Sequence, residues 1–267
     1  MNLLFTVDRN YLPILCTCLR SVFRFPCRPE GYHIYLMHSD LTEEDGQALR
    51  RLCPGGAEVT LVAMDSALVE DFPVTSRYPR QMYYRILAAR FLPEGLDRVL
   101  YLDPDIVVIN PLEELYHMDF QGNLLAACTH VKEFLSRLNQ LRLGVEEPCP
   151  YLNSGVLLMN LPALRREQSI EEIRQYVERY GSRLTLPDQD ILTALYGRRT
   201  LLLDTMRFNL SDRILALYNM SPRNDEPRSL DWVRQNGVII HYCGRNKPWK
   251  DTYLGVLDLF YREVAGS

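Results

Sequence analysis

The 267-residue sequence lacks the features of a membrane-spanning or nucleic-acid-binding protein. No apolar run approaches the roughly 20 residues that a transmembrane helix needs. The basic surplus of a nucleic-acid binder is missing, because 34 acidic residues outnumber 30 basic ones and the net charge is -4. The first ten residues, MNLLFTVDRN, have no basic leader, so we interpret them as a core strand rather than a signal peptide. We therefore expect no transmembrane segment and no nucleic-acid partner.

Cysteine pairs with the spacing of a metal or redox site are also absent. The seven cysteines are odd in number and scattered, and no CxxC motif occurs. Cys16 and Cys18 fall in a predicted helix, where residues i and i+2 do not face each other. The pattern argues against a structural zinc site and predicts free thiols in a reducing cytoplasm.

Strand-like and helix-like segments alternate along the chain, without an internal repeat or a low-complexity run. Strand patterns occur at 3–7, 32–38, 57–64, 99–102 with a continuation at 106–109, 123–129 and 152–161. Helical patterns occur at 13–25, after Thr42, at 79–92 and between Ser169 and Gly181. Beyond about residue 200, short apolar pieces between polar segments indicate an irregular C-terminal part. This order predicts an α/β fold with a mostly parallel, doubly wound, Rossmann-like sheet, helices on both faces, and ligands at the carboxyl ends of its strands.

Two carboxylates, Asp103 and Asp105, directly follow a strand pattern in the stretch RVLYLDPDIVVINPL. In an extended segment, residues i and i+2 point to the same side, so the two side chains are expected to converge. Converging anions repel unless a cation lies between them or one of them is protonated. The pair therefore points to a positive group that has to be supplied from elsewhere.

Other polar residues are expected at the same edge of the sheet. His241 ends the apolar run GVII, Asp8–Tyr11 follow the first strand, and Asn153–Gly155 stand at the head of their own strand. Two carboxylates and one imidazole form an open O,O,N ligand set, which suits Mn²⁺ or Mg²⁺ better than a closed zinc site. Lys247, which follows His241, is placed to face the phosphates that such a metal bridges.

Each of these features has a simpler interpretation on its own. A D-x-D pair after a strand is more often a solvated turn than a metal site. A histidine on an apolar strand, such as His241, is more often a core residue, and Lys247-Pro248-Trp249 reads equally well as a loop with a packed indole. The functional interpretation depends on these residues falling together at strand ends.

Five motifs in order resemble glycosyltransferase family 8, and the likeness runs from FTVDRNYL to Trp249. They are LYLDPDIVVINPLEELY, YLNSGVLLMNL, LPDQDILTAL, FNL and IIHYCGRNKPW. The H-x-x-G-x-x-K-P-W pattern is the most specific of them, and D-x-D the least. The family includes bacterial lipopolysaccharide galactosyl- and glucosyltransferases and glycogenin.

The resemblance implies a GT-A fold and transfer of a hexose from a UDP-sugar with retention of anomeric configuration. The implied metal ligands, for Mn²⁺ or Mg²⁺, are Asp103, Asp105 and His241. The implied nucleotide-binding residues are Asp8, Asn10, Tyr11, Gly244 and Lys247, of which the last two contact the diphosphate. The implied donor-sugar residues are Arg85, Asn153, Asp188 and Gln189, and the implied catalytic residues are Gln189, Asp188 and Lys247.

The resemblance also implies one GT-A domain over 1–267. Residues 1–110 would form the nucleotide-binding half that ends in the D-x-D motif, and 111–250 the half for the donor sugar and the acceptor. The loop 241–249 would close over the site. Because Lys247 would have no partner without metal and diphosphate, we expect this loop to be mobile in the free protein.

The expected donor is UDP-glucose or UDP-galactose, and the expected acceptor is a saccharide or glycolipid in cell-surface polysaccharide or lipopolysaccharide synthesis. Acceptor pockets are built from variable loops, here 65–80, 130–150 and 212–230. The C-terminal FYREVAGS has no long basic-aromatic tail, and membrane attachment stays open between none and a weak association with a membrane surface. The choice of hexose, the choice between Mn²⁺ and Mg²⁺ and the oligomeric state stay open.

Two other functions compete with glycosyl transfer. A haloacid-dehalogenase-like phosphatase also carries hhhh-D-x-D-x-V, but needs its nucleophilic Asp near the N-terminus, whereas this motif begins at residue 99. Its later acidic pair would be Asp188 and Asp190, which follow Pro187 at the start of a predicted helix. The second alternative is a non-catalytic UDP-sugar-binding protein, against which the retention of every motif residue counts.

Overall fold

The computed structural model describes residues 1–27, 31–53, 57–74, 79–130, 133–145, 149–222, 224 and 226–266. The strands are β1 (Asn2–Thr6), β2 (His33–His38), β3 (Glu58–Ala63), β4 (Arg98–Leu102), β5 (Ile106–Val108), β6 (Leu125–Ala127), β7 (Val156–Asn160), β8 (Thr200–Leu202) and β9 (Ile239–His241). The helices are α1 (Leu12–Phe23), α2 (Glu43–Leu52), α3 (Tyr84–Phe91), α4 (Glu113–Tyr116), α5 (Glu133–Leu143), α6 (Leu161–Glu167), α7 (Ile170–Tyr180), α8 (Pro187–Tyr196), α9 (Thr205–Phe208), α10 (Asp212–Asn219), α11 (Leu230–Asn236) and α12 (Asp258–Ala265). Parts of the predicted acceptor loops, namely 75–78, 131–132, 146–148, 223 and 225, lie outside the described residues.

A seven-stranded sheet in the order β3-β2-β1-β4-β7-β6-β8 forms the centre of the molecule. Successive residues of β1 alternate between two apolar cores: Leu3 and Phe5 pack on one face with α1 and α2, and Leu4 packs on the other with α3 and α8. Each fully buried leucine of this kind contributes about 1.5–3 kcal/mol to the stability of the fold. The predicted α/β sheet, mostly parallel and covered on both faces, is confirmed.

The strand β7 departs from the expected parallel arrangement, because it pairs antiparallel with both β4 and β6. It is also shorter than predicted, since the first four residues of the pattern 152–161 precede the strand. Its reversed direction brings its N-terminal end beside the C-terminal end of β4, where Leu102 pairs with Val156. Asn153–Gly155 consequently lie at the predicted edge of the sheet. The cause is the antiparallel direction of β7, which the sequence pattern does not show.

The predicted continuation of the fourth strand at 106–109 is wrong in its placement. Asp103-Pro104-Asp105 turns the chain out of the central sheet, and β5 forms a separate antiparallel ladder with β9, in which Ile106 pairs with His241. The two carboxylates therefore lie on a turn and not on an extended strand. The ladder brings His241 beside the turn.

The C-terminal part has its own apolar core, which packs around the β5–β9 ladder. It includes Val107, Ile240, Phe260 and Val264, so α12 closes over the ladder. Short helices alternate there with loops, as the irregular sequence texture predicts. Within the described ranges, no helix has both the length and the apolar character needed to cross a bilayer.

Candidate active site

Asp103, Asp105 and His241 converge where β4 ends and β9 ends, and their ligand atoms lie within 4.8 Å of one another. His241 Nε2 lies 3.2 Å from Asp105 Oδ1 and 3.6 Å from Asp103 Oδ2. We call these three residues the Asp–Asp–His cluster. The predicted meeting of the two carboxylates and the imidazole is confirmed.

The repulsion between the two carboxylates is relieved by two cations of the chain itself. Asp103 Oδ1 forms an ion pair with Arg85 Nη1 at 2.9 Å and accepts a hydrogen bond from the Tyr101 hydroxyl at 2.7 Å. Asp105 Oδ2 is bonded to the Lys247 ammonium. Burial alone would raise the pKa of Asp105, but His241 and Lys247 outweigh it and hold that pKa well below its usual range. One oxygen of each carboxylate is thus tied down, and the other faces His241.

The free oxygens fit a small divalent cation. Asp105 Oδ1 is buried and accepts no hydrogen bond from any residue that the structure describes. An orphaned buried carboxylate oxygen is unfavourable unless a cation satisfies it. When an ion binds its ligand atoms at about 2.1 Å, neighbouring ligand atoms lie about 3 Å apart. The distances from His241 Nε2 to Asp105 Oδ1 and Asp103 Oδ2, 3.2 and 3.6 Å, are close to this value. Carboxylate oxygens and one imidazole nitrogen suit Mn²⁺ or Mg²⁺, so the residues present fit the expected metal.

Gly155 provides the space in which the cluster sits. A Cβ atom at this position would lie 2.2 Å from His241 Cε1 and 2.8 Å from Asp103 Oδ2. The Gly155 carbonyl also accepts a hydrogen bond from the Asp103 backbone amide at 2.8 Å. The glycine of the N-S-G-V motif is therefore required by close packing against two members of the cluster.

A second group of polar side chains, which we call the α8 cluster, lies next to the first. Its members are Arg85, Asn153, Ser154, Asp188 and Gln189, and all except Asn153 are buried. Arg85 Nη1 joins the two clusters, because it contacts Asp103 at 2.9 Å and Asp188 at 3.4 Å. Asp188 accepts a hydrogen bond from the Ser154 hydroxyl at 2.8 Å, and burial raises the pKa of its carboxyl. Asn153 Nδ2 lies 3.3 Å from Gln189 Oε1.

Asp190 fixes the start of α8 and thereby the position of Asp188 and Gln189. Its fully buried carboxylate accepts hydrogen bonds from the backbone amides of Thr185 and Leu186 at 2.7 and 3.1 Å. Arg142 binds both carboxylate oxygens, at 2.7 and 2.8 Å. Pro187 occupies the first turn of α8, where a missing N–H does no harm. The predicted helix start at Pro187 is confirmed.

The residues expected to bind the base lie on the turn that follows β1. Asp8 Oδ1 accepts a hydrogen bond from the Tyr11 backbone amide at 3.0 Å and so caps the 3₁₀ turn Arg9–Tyr11. The side chain of Asn10 is exposed, and Tyr11 keeps 38% of its surface accessible. Burial raises the pKa of Tyr11, and the charge of Lys247 opposes that rise.

The expectation that Lys247 has no partner without ligands is wrong. The ammonium is bonded to Asp105 and donates to the Tyr242 carbonyl at 2.8 Å, and the residue is only 9% exposed. Gly244, in the same loop, has a φ of +89°, a conformation that favours glycine. The loop 241–249 is therefore anchored at Lys247 and exposed between Gly244 and Asn246.

Four residues of the site were missed by the sequence analysis as functional groups. Tyr101 and Ser154 hold the carboxylates of Asp103 and Asp188, and Asn209 and His130 lie behind His241. Tyr101, Ser154 and Asn209 belong to the quoted motifs LYLDPDIVVINPLEELY, YLNSGVLLMNL and FNL, which were the signals that could have singled them out. His130 belongs to none of the quoted motifs.

Comparison with known proteins identifies the family. The family model described as Glycosyl transferase family 8 matches residues 2–253. The chain belongs to glycosyltransferase family 8. The resemblance carried by the sequence motifs is thereby confirmed, and the haloacid-dehalogenase alternative is set aside.

Several curated relatives of this family 8 chain are lipopolysaccharide glycosyltransferases. It is 28% identical over 256 residues to a lipopolysaccharide 1,2-glucosyltransferase of Escherichia coli, which covers 94% of this chain and 73% of that protein. It is 25% identical over 255 residues to the lipopolysaccharide 1,3-galactosyltransferase of Salmonella typhimurium, which covers 93% of this chain and 72% of that protein. These relatives support a role in glycosyl transfer.

The fold of the family 8 chain is GT-A, as expected. The galactosyltransferase LgtC, solved in complex with donor and acceptor sugar analogs, matches with a TM-score of 0.83 and 27% identity. The match covers 100% of this chain and 95% of that one. A structure of an active-site variant of LgtC matches with a TM-score of 0.85 and 26% identity.

Proposed function

We propose that the chain is a metal-dependent, retaining hexosyltransferase. It moves glucose or galactose from a UDP-sugar to a saccharide or glycolipid acceptor in bacterial cell-surface polysaccharide or lipopolysaccharide synthesis. The observation that carries this proposal is the direct link, through Arg85, between the Asp–Asp–His cluster and the α8 cluster. The printed activities of the glucosyl- and galactosyltransferase relatives support the hexose donors and the pathway class.

The Asp–Asp–His cluster and Lys247 hold the diphosphate end of the donor in this proposal. Mn²⁺ or Mg²⁺ bound by Asp103, Asp105 and His241 supplies positive charge to the phosphates. Lys247 leaves Asp105 for the diphosphate, where its ammonium stabilises the charge that develops on UDP as it departs. Gly244 lets the loop 241–249 bend during this exchange.

The α8 cluster receives the donor sugar in this proposal. Gln189 lies beneath the anomeric carbon, where its amide oxygen stabilises an oxocarbenium-like transition state. The carboxylates nearby are poor nucleophiles, because Asp188 is held by Arg85 and Ser154 and Asp190 by Arg142. Retention is then best written as front-face attack. The bond from the anomeric carbon to the phosphate oxygen breaks, the bond to the acceptor oxygen forms, and the departing phosphate takes the acceptor's proton.

The nucleotide is bound by the first half of the domain, 1–110, and the acceptor by loops of 111–250. Asp8 and Asn10 read the edge of uracil, and Tyr11 stacks on the ring. The seven cysteines are free thiols, which supports a cytoplasmic protein that uses cytoplasmic UDP-sugars. A weak docking to the membrane surface would bring such an enzyme to a glycolipid acceptor.

The experiment that tests this function is a donor panel. The purified chain is incubated with UDP-glucose, UDP-galactose and other UDP-sugars in the presence of Mn²⁺, and UDP release is measured without an acceptor. We expect hydrolysis of one hexose donor above the others, and its loss in excess EDTA. Asp105→Asn should abolish the activity, and Asp231→Asn, an exposed carboxylate on α11, should leave it unchanged.

The alternative of a non-catalytic UDP-sugar-binding protein is separated by the same assay. Such a protein would bind UDP and Mn²⁺ in calorimetry but release no UDP from any donor. Full activity in excess EDTA would contradict the metal dependence instead.

A further inference from the structure

A chain of side-chain amides connects the α8 cluster with His241. The Gly155 backbone N–H donates to Asn153 Oδ1 at 3.1 Å. Asn209 Nδ2 lies 2.9 Å from the same Asn153 oxygen. Asn209 Oδ1 in turn lies 2.9 Å from His241 Nδ1.

The direction of every bond in this chain follows from its first member. A backbone N–H can only donate, so the Asn153 atom that faces Gly155 has to be its oxygen. Since that oxygen can only accept, Asn209 has to present its NH₂ group to Asn153 and its oxygen to His241. The imidazole nitrogen that faces an amide oxygen has to carry a proton, and this nitrogen is Nδ1.

Asn209 itself is held on all sides. It is fully buried, its backbone amide donates to Thr205 at 3.2 Å, and its carbonyl faces His130 Nε2 at 2.8 Å. Burial lowers the pKa of His130 to about 4, so the ring is neutral near pH 7 and donates through Nε2. The next residue, Leu210, is hydrogen-bonded to both Ile239 and His241 of β9. Asn209 is therefore a rigid support beside the ring of His241.

We propose that Asn209 is a positioning residue whose amide holds His241 in the Nδ1–H tautomer and couples it to Asn153. With the Nδ1 proton bonded to Asn209, Nε2 is the ring nitrogen that faces Asp105 Oδ1 at 3.2 Å and Asp103 Oδ2 at 3.6 Å. Nε2 and the two carboxylate oxygens lie within 4.8 Å of one another, so Nε2 is the nitrogen that a cation would bind. The inference rests on the proposed metal-dependent function for its purpose, but the proton on Nδ1 follows from the bond to Asn209 and does not depend on metal.

The side-chain amides of Asn209 and Asn153 connect the Asp–Asp–His cluster with the α8 cluster. Asn153 Nδ2 continues the chain to Gln189 Oε1 at 3.3 Å, so four side chains from His241 to Gln189 are connected. A rotation of the imidazole would break the bond to Asn209 and leave a buried amide oxygen without its donor. Loss of a partner that orients a metal ligand typically lowers metal affinity about 10–100-fold.

The tautomer is measured directly in the metal-free, wild-type protein. Long-range ¹H–¹⁵N correlation spectra of ¹⁵N-histidine-labelled protein report which ring nitrogens of His241 are protonated. Assignment uses a His241→Gln sample, in which the resonance disappears. We expect Nδ1–H. A His241 ring protonated at Nε2 and not at Nδ1 in the wild type would overturn the proposal, whether or not the protein is an enzyme.

Variants of Asn209 separate its two bonds. Asn209→Ala removes both, so we expect mixed His241 tautomers and Mn²⁺ binding about 10–100-fold weaker in calorimetry. Asn209→Asp keeps an acceptor for His241 and loses the donor to Asn153, so the Nδ1–H tautomer should be rescued. Asn110→Ala is the matched control, because Asn110 bonds only backbone carbonyls of Arg234 and Gly237 in the described structure.

The outcomes distinguish this proposal from the proposed function. A folded Asn209→Ala protein with wild-type tautomer and wild-type Mn²⁺ affinity would refute the positioning role. An Nδ1–H tautomer in a wild-type protein that binds no Mn²⁺ would support the positioning and count against the metal-dependent function.

Discussion

At the proposed sugar end of the site Asp188 and Gln189 are 6% and 8% exposed and hydrogen-bonded, whereas at the proposed nucleotide end Asn10 is exposed and Tyr11 is 38% exposed. The sugar end is fixed from behind by Asp190 and Arg142. The nucleotide end is a single 3₁₀ turn capped by Asp8. In the proposed enzyme, the groups near the reacting carbon would be preorganised, and the ligand would complete the binding of the base.

The Asp–Asp–His cluster lies between these extremes. Its Asp103 side is tied to the rigid end through Arg85 and Tyr101, and its Asp105 side to the loop 241–249 through Lys247. Preorganised charge near the developing charge of a transition state is usually the largest electrostatic contribution to catalysis. The comparison therefore predicts larger effects from substitutions on the Asp103 side than from substitutions in the loop 241–249.

The largest effect is expected from the carboxylates themselves. Asp103→Asn and Asp105→Asn should each lower turnover by orders of magnitude, because a neutral amide holds a hard cation poorly. Asp103→Asn should lower the melting temperature more than Asp105→Asn, since it leaves two partners, Arg85 and Tyr101, with a weaker acceptor, whereas Asp105→Asn weakens only the acceptor of Lys247. Turnover with Mn²⁺ and thermal unfolding of both variants test this. Equal melting temperatures would remove the distinction between the two sides.

A comparably severe effect is expected from one added methyl group. Gly155→Ala places a Cβ atom 2.2 Å from His241 Cε1, so the ring has to move. Displacing a metal ligand should weaken Mn²⁺ binding by at least the roughly 10–100-fold that follows from disturbing its support. Gly95→Ala is the matched control, because a Cβ there meets nothing within 4 Å. Unchanged Mn²⁺ affinity of Gly155→Ala in calorimetry would show that the cluster is not the metal site.

Much of this arrangement could be predicted from the sequence, because chemistry-bearing residues at strand ends are visible locally. The α/β sheet, the helix start at Pro187 and the meeting of Asp103, Asp105 and His241 were predicted correctly. The antiparallel direction of β7 and the departure of β5 were not, since an apolar run does not encode which strand it pairs with. The partner of Lys247 and the role of Asn209 were missed because both depend on distances between remote parts of the chain.

A smaller and two-sided effect is expected at Lys247, on the flexible side. In the free protein its ammonium competes with a metal for Asp105, so Lys247→Ala should bind Mn²⁺ more tightly in the absence of UDP. Turnover should nevertheless fall about 10²–10³-fold, the usual loss when a donor to the developing charge is removed. Lys250→Ala, an exposed lysine of the same segment, is the control.

Calorimetry with Mn²⁺ and steady-state turnover separate the two effects of Lys247→Ala. Weaker Mn²⁺ binding by Lys247→Ala would mean that Lys247 helps to position the metal-binding residues and does not compete with the metal for Asp105. Amide hydrogen exchange across 240–250 supplies a further check. Because Lys247 anchors the loop in the free protein, added protection with UDP and Mn²⁺ should concentrate at Gly244–Asn246, the exposed part.

The smallest effect is expected at the exposed nucleotide end. With Asp8 and Asn10 on the base edge and Tyr11 on its face, UDP should bind more tightly than GDP or ADP, since each buried polar group left unpaired costs about 1–3 kcal/mol. Tyr11→Ala should weaken binding of all three nucleotides by about tenfold, because stacking on an aromatic ring is worth about 1–3 kcal/mol per base. Asp8→Asn should instead reduce the ratio of the affinity for UDP to the affinities for GDP and ADP, since an amide can offer the base a donor as well as an acceptor. Competition calorimetry with the three diphosphates in the presence of Mn²⁺ measures both. Equal affinities for UDP, GDP and ADP in the wild type would refute base reading by this turn and leave the diphosphate and the metal as the main determinants of binding.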